Sequence, residues 1–414
     1  MAVTSVNSRI FDLRGRKLRL DTREDIEPYF KDIDVEKVEE VYLSDNTIGV
    51  SAAQALGERL SSMKTLKVAG LSDIFVSRSI EEVPDALTAI CNALKDAARL
   101  VDLDLSNNAF GGRAVYPLVP LLTHNRAIQV LKLHNNGLGP EGGAVVAKAL
   151  LEAARLSSAQ GQPSSLRVII CGRNRLEDHA AHTWGQALAA HENLQKVKMV
   201  NNGFREDGFR AIVHGLAKCR DLRYLSLRDN LSRNVSTNPA LDDSERGWHA
   251  IVDLLSFAKQ LQFLDLSDCG LDVLGSAAIS RALASGTQSK LQTLLLENND
   301  MTGAVYGDLA DAVLHHLPSL ATLSLACNDD LEHESVVAMT ESLEDRGGRV
   351  VVNDDHEEDL EDDAADAEKE TQFVNESAIV VDSGLVLAQK ESQPVDELAE
   401  ELSQLAIKST GADA

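Results

Sequence analysis

The chain has 414 residues, of which 44% are hydrophobic but only 4% aromatic, and its 65 acidic residues outnumber 40 basic ones for a formal net charge of -25. That balance disfavours a general nucleic-acid or anionic-membrane role and favours a partner with a basic surface. Five scattered cysteines (Cys91, Cys171, Cys219, Cys269 and Cys327) without Cys-x-x-Cys spacing read as reduced intracellular thiols; there is no signal-peptide core and no run near the ~18 apolar residues of a membrane span, so a soluble intracellular protein is expected.

Residues 1–40 do not follow the pattern that comes after them and are expected to cap the N-terminal edge, with KLRL (17–20) as a strand. From 41 onward the pattern Leu-x-Leu-x-x-Asn-x-Leu recurs. It appears as VYLSDNTI (41–48), LDLSNNAF (103–110), LKLHNNGL (131–138), IICGRNRL (169–176), VKMVNNGF (197–204) and LSLRDN (225–230), then as LDLSDCGL (264–271), LLLENNDM (294–301) and LSLACN (323–328). A degenerate copy is placed at Leu66–Val68, and GRVVVN (348–353) reads as a terminal strand. Most steps are 28–30 residues, and three carry insertions of about ten.

In each copy the alternating apolar residues, such as Leu131 and Leu133, make a short strand with those side chains inward. The asparagine three positions on (Asn46, Asn108, Asn136, Asn174, Asn202, Asn230, Asn299) turns inward to satisfy buried backbone groups, with Cys269 replacing it once. Intervening stretches such as 52–60 and 141–156 are apolar at i, i+3, i+4 and i+7, which predicts helices. Parallel strands stack about 4.8 Å apart whereas helices need about 10 Å, so strands must line the inside of an arc. The expected fold is an α/β leucine-rich-repeat solenoid of about 10–11 repeats over 41–353, strands concave and helices convex. From 354 to 414, nineteen acidic residues stand against three lysines, a composition expected to be disordered.

Chemistry-bearing candidates are few. The glycine-rich 137–148 segment lacks GxxxxGK[ST] spacing and reads as a repeat turn; His179 and His182 have no third metal ligand nearby; no Ser/His/Asp or Cys/His set has sequence support. No metal site is expected, and the chain is not expected to be an enzyme in its own right. Positions beside the ladder say more. His134 and Asn135 are expected on or near the concave rim, and Arg173 and Arg175 flank Asn174, an unusual pair of cations in an acidic protein. Asn202 and Asp229 join them as candidate partner contacts. The segment 71–84 interrupts the repeat and carries Arg78 on what should be an exposed loop, where function concentrates.

These segments resemble the Ran GTPase-activating proteins, through LSDNTIG (43–49), SDIF…R (72–78), LSNNAFG (105–111), LHNNGLGP (133–140), CGRNRLE (171–177) and VKMVNNG (197–203), followed by the acidic tail. The layout is similar to the fungal form. The resemblance implies a cytoplasmic activator acting in trans on Ran in its GTP form in nucleocytoplasmic transport, with the cytoplasmic side of the nuclear envelope and an accessory Ran-binding protein left open. It implies no cofactor of its own, GTP and Mg2+ being carried by the partner. It implies no arginine finger: Asn135 matches the asparagine that abuts and orders the partner's catalytic glutamine, and Arg78 matches an arginine for docking and switch-region ordering. The alternative is a non-catalytic scaffold or inhibitor that binds another protein on the concave face. Leu398, Leu402, Leu405 and Ile407 have the spacing of a leucine-rich nuclear export signal.

Overall fold

The computed structural model describes residues 9–231, 242 and 245–353. The acidic segment 354–414 and the export-like Leu398, Leu402, Leu405 and Ile407 lie outside the described residues.

Short strands alternate with helices along the chain. The strands are β1 (Ile10–Asp12), β2 (Arg19–Leu20), β3 (Glu40–Tyr42), β4 (Thr47–Ile48), β5 (Val68–Gly70), β6 (Asp102–Asp104) and β7 (Val130–Lys132), then β8 (Val168–Ile170), β9 (Lys196–Lys198), β10 (Tyr224–Ser226), β11 (Phe263–Asp265), β12 (Thr293–Leu295), β13 (Thr322–Ser324) and β14 (Arg349–Val351). All but β2 and β4 join one twelve-stranded parallel sheet in chain order. The helices are α1 (Arg23–Phe30), α2 (Val50–Ser62), α3 (Val83–Leu94), α4 (Leu118–His124), α5 (Gly139–Ala159) and α6 (Glu177–Ala190), then α7 (Glu206–Leu216), α8 (Gly247–Phe257), α9 (Asp272–Ala284), α10 (Gly303–Asp311) and α11 (Glu334–Asp345). Each helix packs on the next, and one continuous core of Leu, Val, Ile and Ala runs between the helix layer and the sheet. The solenoid read from the repeat is therefore the fold. Close helix approach is met with glycine: a Cβ on Gly185 of α6 would come within 2.3 Å of Ala211 O in α7.

The asparagine ladder forms as expected. Asn108 Nδ2 donates to Leu71 O and Leu105 O, both at 2.9 Å, while Asn108 N donates to Asn136 Oδ1 at 2.8 Å. The same relay runs from Asn136 to Asn174, Asn202 and Asn230. Cys269 keeps its place in the ladder by donating Sγ–H to Leu227 O at 3.3 Å.

Two expectations are corrected at the N-terminal end. The degenerate copy lies three residues later than Leu66–Val68. Ala69 pairs with Val41 and Gly70 with Tyr42, so its inward residues are Ala69 and Leu71 and the flanking steps become 28 and 34 residues. Tyr42 lies over Gly70, where a Cβ would meet its ring at 2.6 Å, and Ile74 occupies the ladder position. A small residue and an isoleucine hide this copy from a Leu/Asn pattern. Residues 10–30 also repeat the architecture: β1 pairs in parallel register with β3, and α1 packs on α2. The expected strand at 17–20 is β2, which pairs with β4 instead of joining the main sheet.

Candidate functional site

The residue just before each ladder position takes left-handed backbone: Asp45, Asp73, Asn107, Asn135, Arg173, Asn201, Asp229, Asp268, Asn298 and Cys327 have φ between 49° and 63°. Asn and Asp tolerate this conformation because a short polar side chain can bond locally; other L-residues pay roughly 1–2 kcal/mol. The outcome is a polar ridge along the rim of the concave face. Side chains on it pair between neighbouring repeats: Asn135 Nδ2 donates to Asn107 Oδ1 at 3.0 Å, Asn201 Nδ2 to Asp229 Oδ2, and Asn298 Nδ2 to Asp268 Oδ1.

Asn135 is exposed on this ridge. Its Nδ2 is held by Asn107, and its Oδ1 has no hydrogen-bond partner among the described residues, leaving an oriented acceptor open to solvent. Asn107, one repeat earlier at the equivalent position, is the positioning neighbour that sequence reasoning missed. The signal was the phase of the repeat itself.

Arg173 breaks the ridge's preference, with φ 53°, and Arg175 repeats the exception on the other side of Asn174 with φ 52°. Flanking repeats place Asn135 and Gly137, and Asn201 and Gly203, at those two positions. Both arginines are exposed; Arg173 N donates to Val200 O at 2.9 Å, but neither guanidinium makes a hydrogen bond or ion pair among the described residues. Two cations held in backbone that the neighbouring repeats give to Asn and Gly indicate that something other than folding keeps them there. Burial first, and then Asp268, raise the Asp229 carboxyl above its usual range, with the Asn201 hydrogen bond, Arg228 and Arg173 acting against them. The ridge thus runs from an amide pair through a cationic step to an acidic one.

Three expected contacts sit differently. His134 is only 5% exposed, its backbone N donating to Ser106 Oγ, and its ring closes over Gly172 together with Val200. Asn202 is fully buried in the ladder, donating to Cys171 O at 2.8 Å and Met199 O at 3.2 Å. Neither side chain is open to a partner. Arg78 is not displayed by its loop: its side chain is 7% exposed. Its Nη1 donates to Asp21 Oδ1 at 2.6 Å, its Nε to Thr47 Oγ1 at 2.8 Å, and its Nη2 to Thr47 O at 3.1 Å and Leu20 O at 3.4 Å. Asp21 and Thr47, far away in sequence, carried no signal for this role.

The middle of the concave face is filled by the protein itself. Val130, Val168 and Ile170 form a small apolar cluster there, and Lys132 pairs with Asp102 at 3.7 Å with both side chains under a tenth exposed. Lys196 lies over the Tyr224 ring, which stacks on Phe263. The open chemistry is therefore on the rim. Gly137 and Gly139 make the left-handed turn into α5, as read for the glycine-rich segment. His182 accepts or donates to Asp207 at 2.8 Å. Cys91, Cys171, Cys219 and Cys269 are buried, which pushes their thiols up (Cys171 and Cys219 to about 12), so none offers a thiolate. Among the described residues no group of three or more His, Cys, Asp or Glu could hold a metal ion, and no helix is long and apolar enough to cross a membrane.

Fold and site define a leucine-rich-repeat solenoid with an exposed polar and charged ridge beside its asparagine ladder. No family model matches the chain. It is 32% identical over 301 residues to Ran GTPase-activating protein 1 of Saccharomyces cerevisiae, covering 71% of each chain. It is 39% identical over 207 residues to Ran GTPase-activating protein 1 of Xenopus laevis, covering 49% of this chain and 36% of that one. A more distant likeness, 25% over 320 residues, is to the ribonuclease inhibitor of Sus scrofa, covering 72% of this chain and 65% of that one. The chain belongs to the Ran GTPase-activating protein family.

Proposed function

We propose that this protein accelerates hydrolysis of GTP bound to Ran in the cytoplasm, acting in trans, with GTP and Mg2+ supplied by the GTPase. The observation that carries the reading beyond family membership is the exposed Asn135 amide, fixed by Asn107, with Oδ1 free and a cationic step one repeat away. An acceptor held in that way can take a hydrogen bond from the partner's glutamine and leave that amide's oxygen to orient the attacking water. Only positioning is asked of the activator, which is how much of phosphoryl-transfer catalysis works. Arg78 supports the reading without an arginine finger, since reaching a phosphate would strip it of every bond just described.

The direct test is single-turnover GTP hydrolysis by purified Ran with catalytic amounts of this protein. Acceleration by several orders of magnitude is expected, the scale on which activators of small GTPases work (roughly 10⁵-fold for Ras). Binding without acceleration would favour the scaffold or inhibitor reading, for which the likeness to a ribonuclease inhibitor is the supporting observation.

The two strained arginines give a separate expected outcome. Rewriting them to match the adjacent repeats, Arg173→Asn with Arg175→Gly, should raise unfolding stability by about 1–2 kcal/mol through relief of left-handed strain. The same variant should bind Ran·GTP more weakly, with a shallower dependence on salt. Denaturant melts and a salt series of association rates check both. Unchanged binding would remove the arginines from the contact set.

A further inference from the structure

The segment 71–82 runs from the inward Leu71 through the ladder position Ile74 and an insertion that ends at α3, and it is tied down along its length. Ile48 N donates to Ile74 O at 2.9 Å, Thr47 forms an isolated antiparallel bridge with Phe75, and Thr47 Oγ1 donates to Val76 O at 2.6 Å. The insertion therefore adds a short third run beside the β2–β4 pair. Ser77 then turns the chain with φ 60°, and Arg78 folds back so that its guanidinium closes on Asp21, Thr47 and Leu20. The seat is close-fitting, since a Cβ on Gly49 would come within 3.0 Å of Arg78 Nη1. Asp21 is charged in it, its carboxyl held below the usual range by Arg19 first and Arg78 second. The loop leaves two large apolar side chains outside, Val76 at 47% exposed and Ile80 at 54%, among the exposed Ser77, Ser79, Glu81 and Glu82.

We infer that Asp21 and Thr47 are positioning residues of the activating surface, which hold Arg78 as an internal strut so that the insertion presents Val76 and Ile80 to the GTPase. This rests on the GTPase-activating reading above. Arg78 acts without leaving its seat. The opposite arrangement, in which Asp21 latches an arginine that must swing out to the partner, requires four hydrogen bonds to break on docking, and the two arrangements predict opposite effects of removing Asp21.

The full-length chain is compared as wild type, Asp21→Asn, Thr47→Val, Arg78→Ala and the Asp21→Asn/Arg78→Ala double variant. Single-turnover hydrolysis of Ran·GTP is titrated with each, and amide hydrogen exchange is followed over 71–82. Asp21→Asn should raise the half-saturating concentration about tenfold, the equivalent of ~1.4 kcal/mol, while the saturating rate moves less and exchange over 71–82 speeds up. Asp21→Glu should recover part of the loss. The double variant should be no worse than Arg78→Ala alone, because both remove one strut. Asp21→Asn at wild-type affinity or tighter would overturn the strut and establish the latch; additive losses would overturn the coupling. Thr47→Val, which removes one hydroxyl and keeps the shape, carries the same test should Asp21→Asn fold poorly. If wild type itself does not accelerate hydrolysis, the functional reading fails, and the exchange data still report on the strut.

Discussion

Asn135→Ala should lower Ran·GTP hydrolysis at saturating activator by about 10²-fold, the scale seen when one oriented donor or acceptor is removed from a developing transition state. Affinity should change little, because the side chain offers one exposed oxygen against an interface of many contacts. The αL backbone makes a second effect predictable: alanine at φ 53° loses the tolerance of asparagine, so stability should drop by about 1 kcal/mol. Measuring the rate at saturation separates the two, since a folded population that is merely smaller is corrected by concentration. Asn107→Ala should give a smaller loss in the same direction, for it frees the Asn135 amide to rotate. A saturating rate within twofold of wild type for Asn135→Ala would remove Asn135 from the activating step.

The sequence makes periodicity legible where side chains are large and regular, and fails where the constraint is a close approach. Leu105, Leu133 and the ladder asparagines report their repeats directly, because each apolar position must fill core and each amide must meet two carbonyls. Gly70 reports nothing of the kind, since it makes room for Tyr42, and the inward Ala69 is too small to stand out as a repeat leucine. The N-terminal strand escaped the pattern for a related reason: Phe11 and Leu13 keep the inward alternation, but Arg16 stands where the ladder asparagine would be. At the site, the position of Asn135 followed from the repeat, but its left-handed backbone and its tie to Asn107 are properties of neighbouring turns. His134 stands beside the ladder in the sequence, a rim position, although it is enclosed between Ser106 and Gly172. A loop carries Arg78, which in the sequence points to exposure. Its burial depends on Asp21, a residue that sequence distance separates and folding brings to 2.6 Å.

Asn202 is where a partner contact and a folding residue can be told apart outright, and Asn202→Ala should cost about 4 kcal/mol of stability. The substitution leaves Cys171 O and Met199 O without the Nδ2 donor, and removes the Oδ1 that accepts from Asn174 N at 3.1 Å. Each of these groups is buried, and a buried polar group without a partner costs roughly 1–3 kcal/mol. In a repeat array such a loss falls on the interface between neighbouring turns, so the chain should unfold in two steps that part near Asn174 and Asn230. The protein contains its own control at Cys269, where a thiol takes the ladder position and still donates to a carbonyl. Asn202→Cys should accordingly lose about half as much as Asn202→Ala. Denaturant melts of the two variants, followed by circular dichroism, decide the matter. Wild-type melting for Asn202→Ala together with weakened Ran association would return Asn202 to the partner-binding set and contradict the burial that now excludes it.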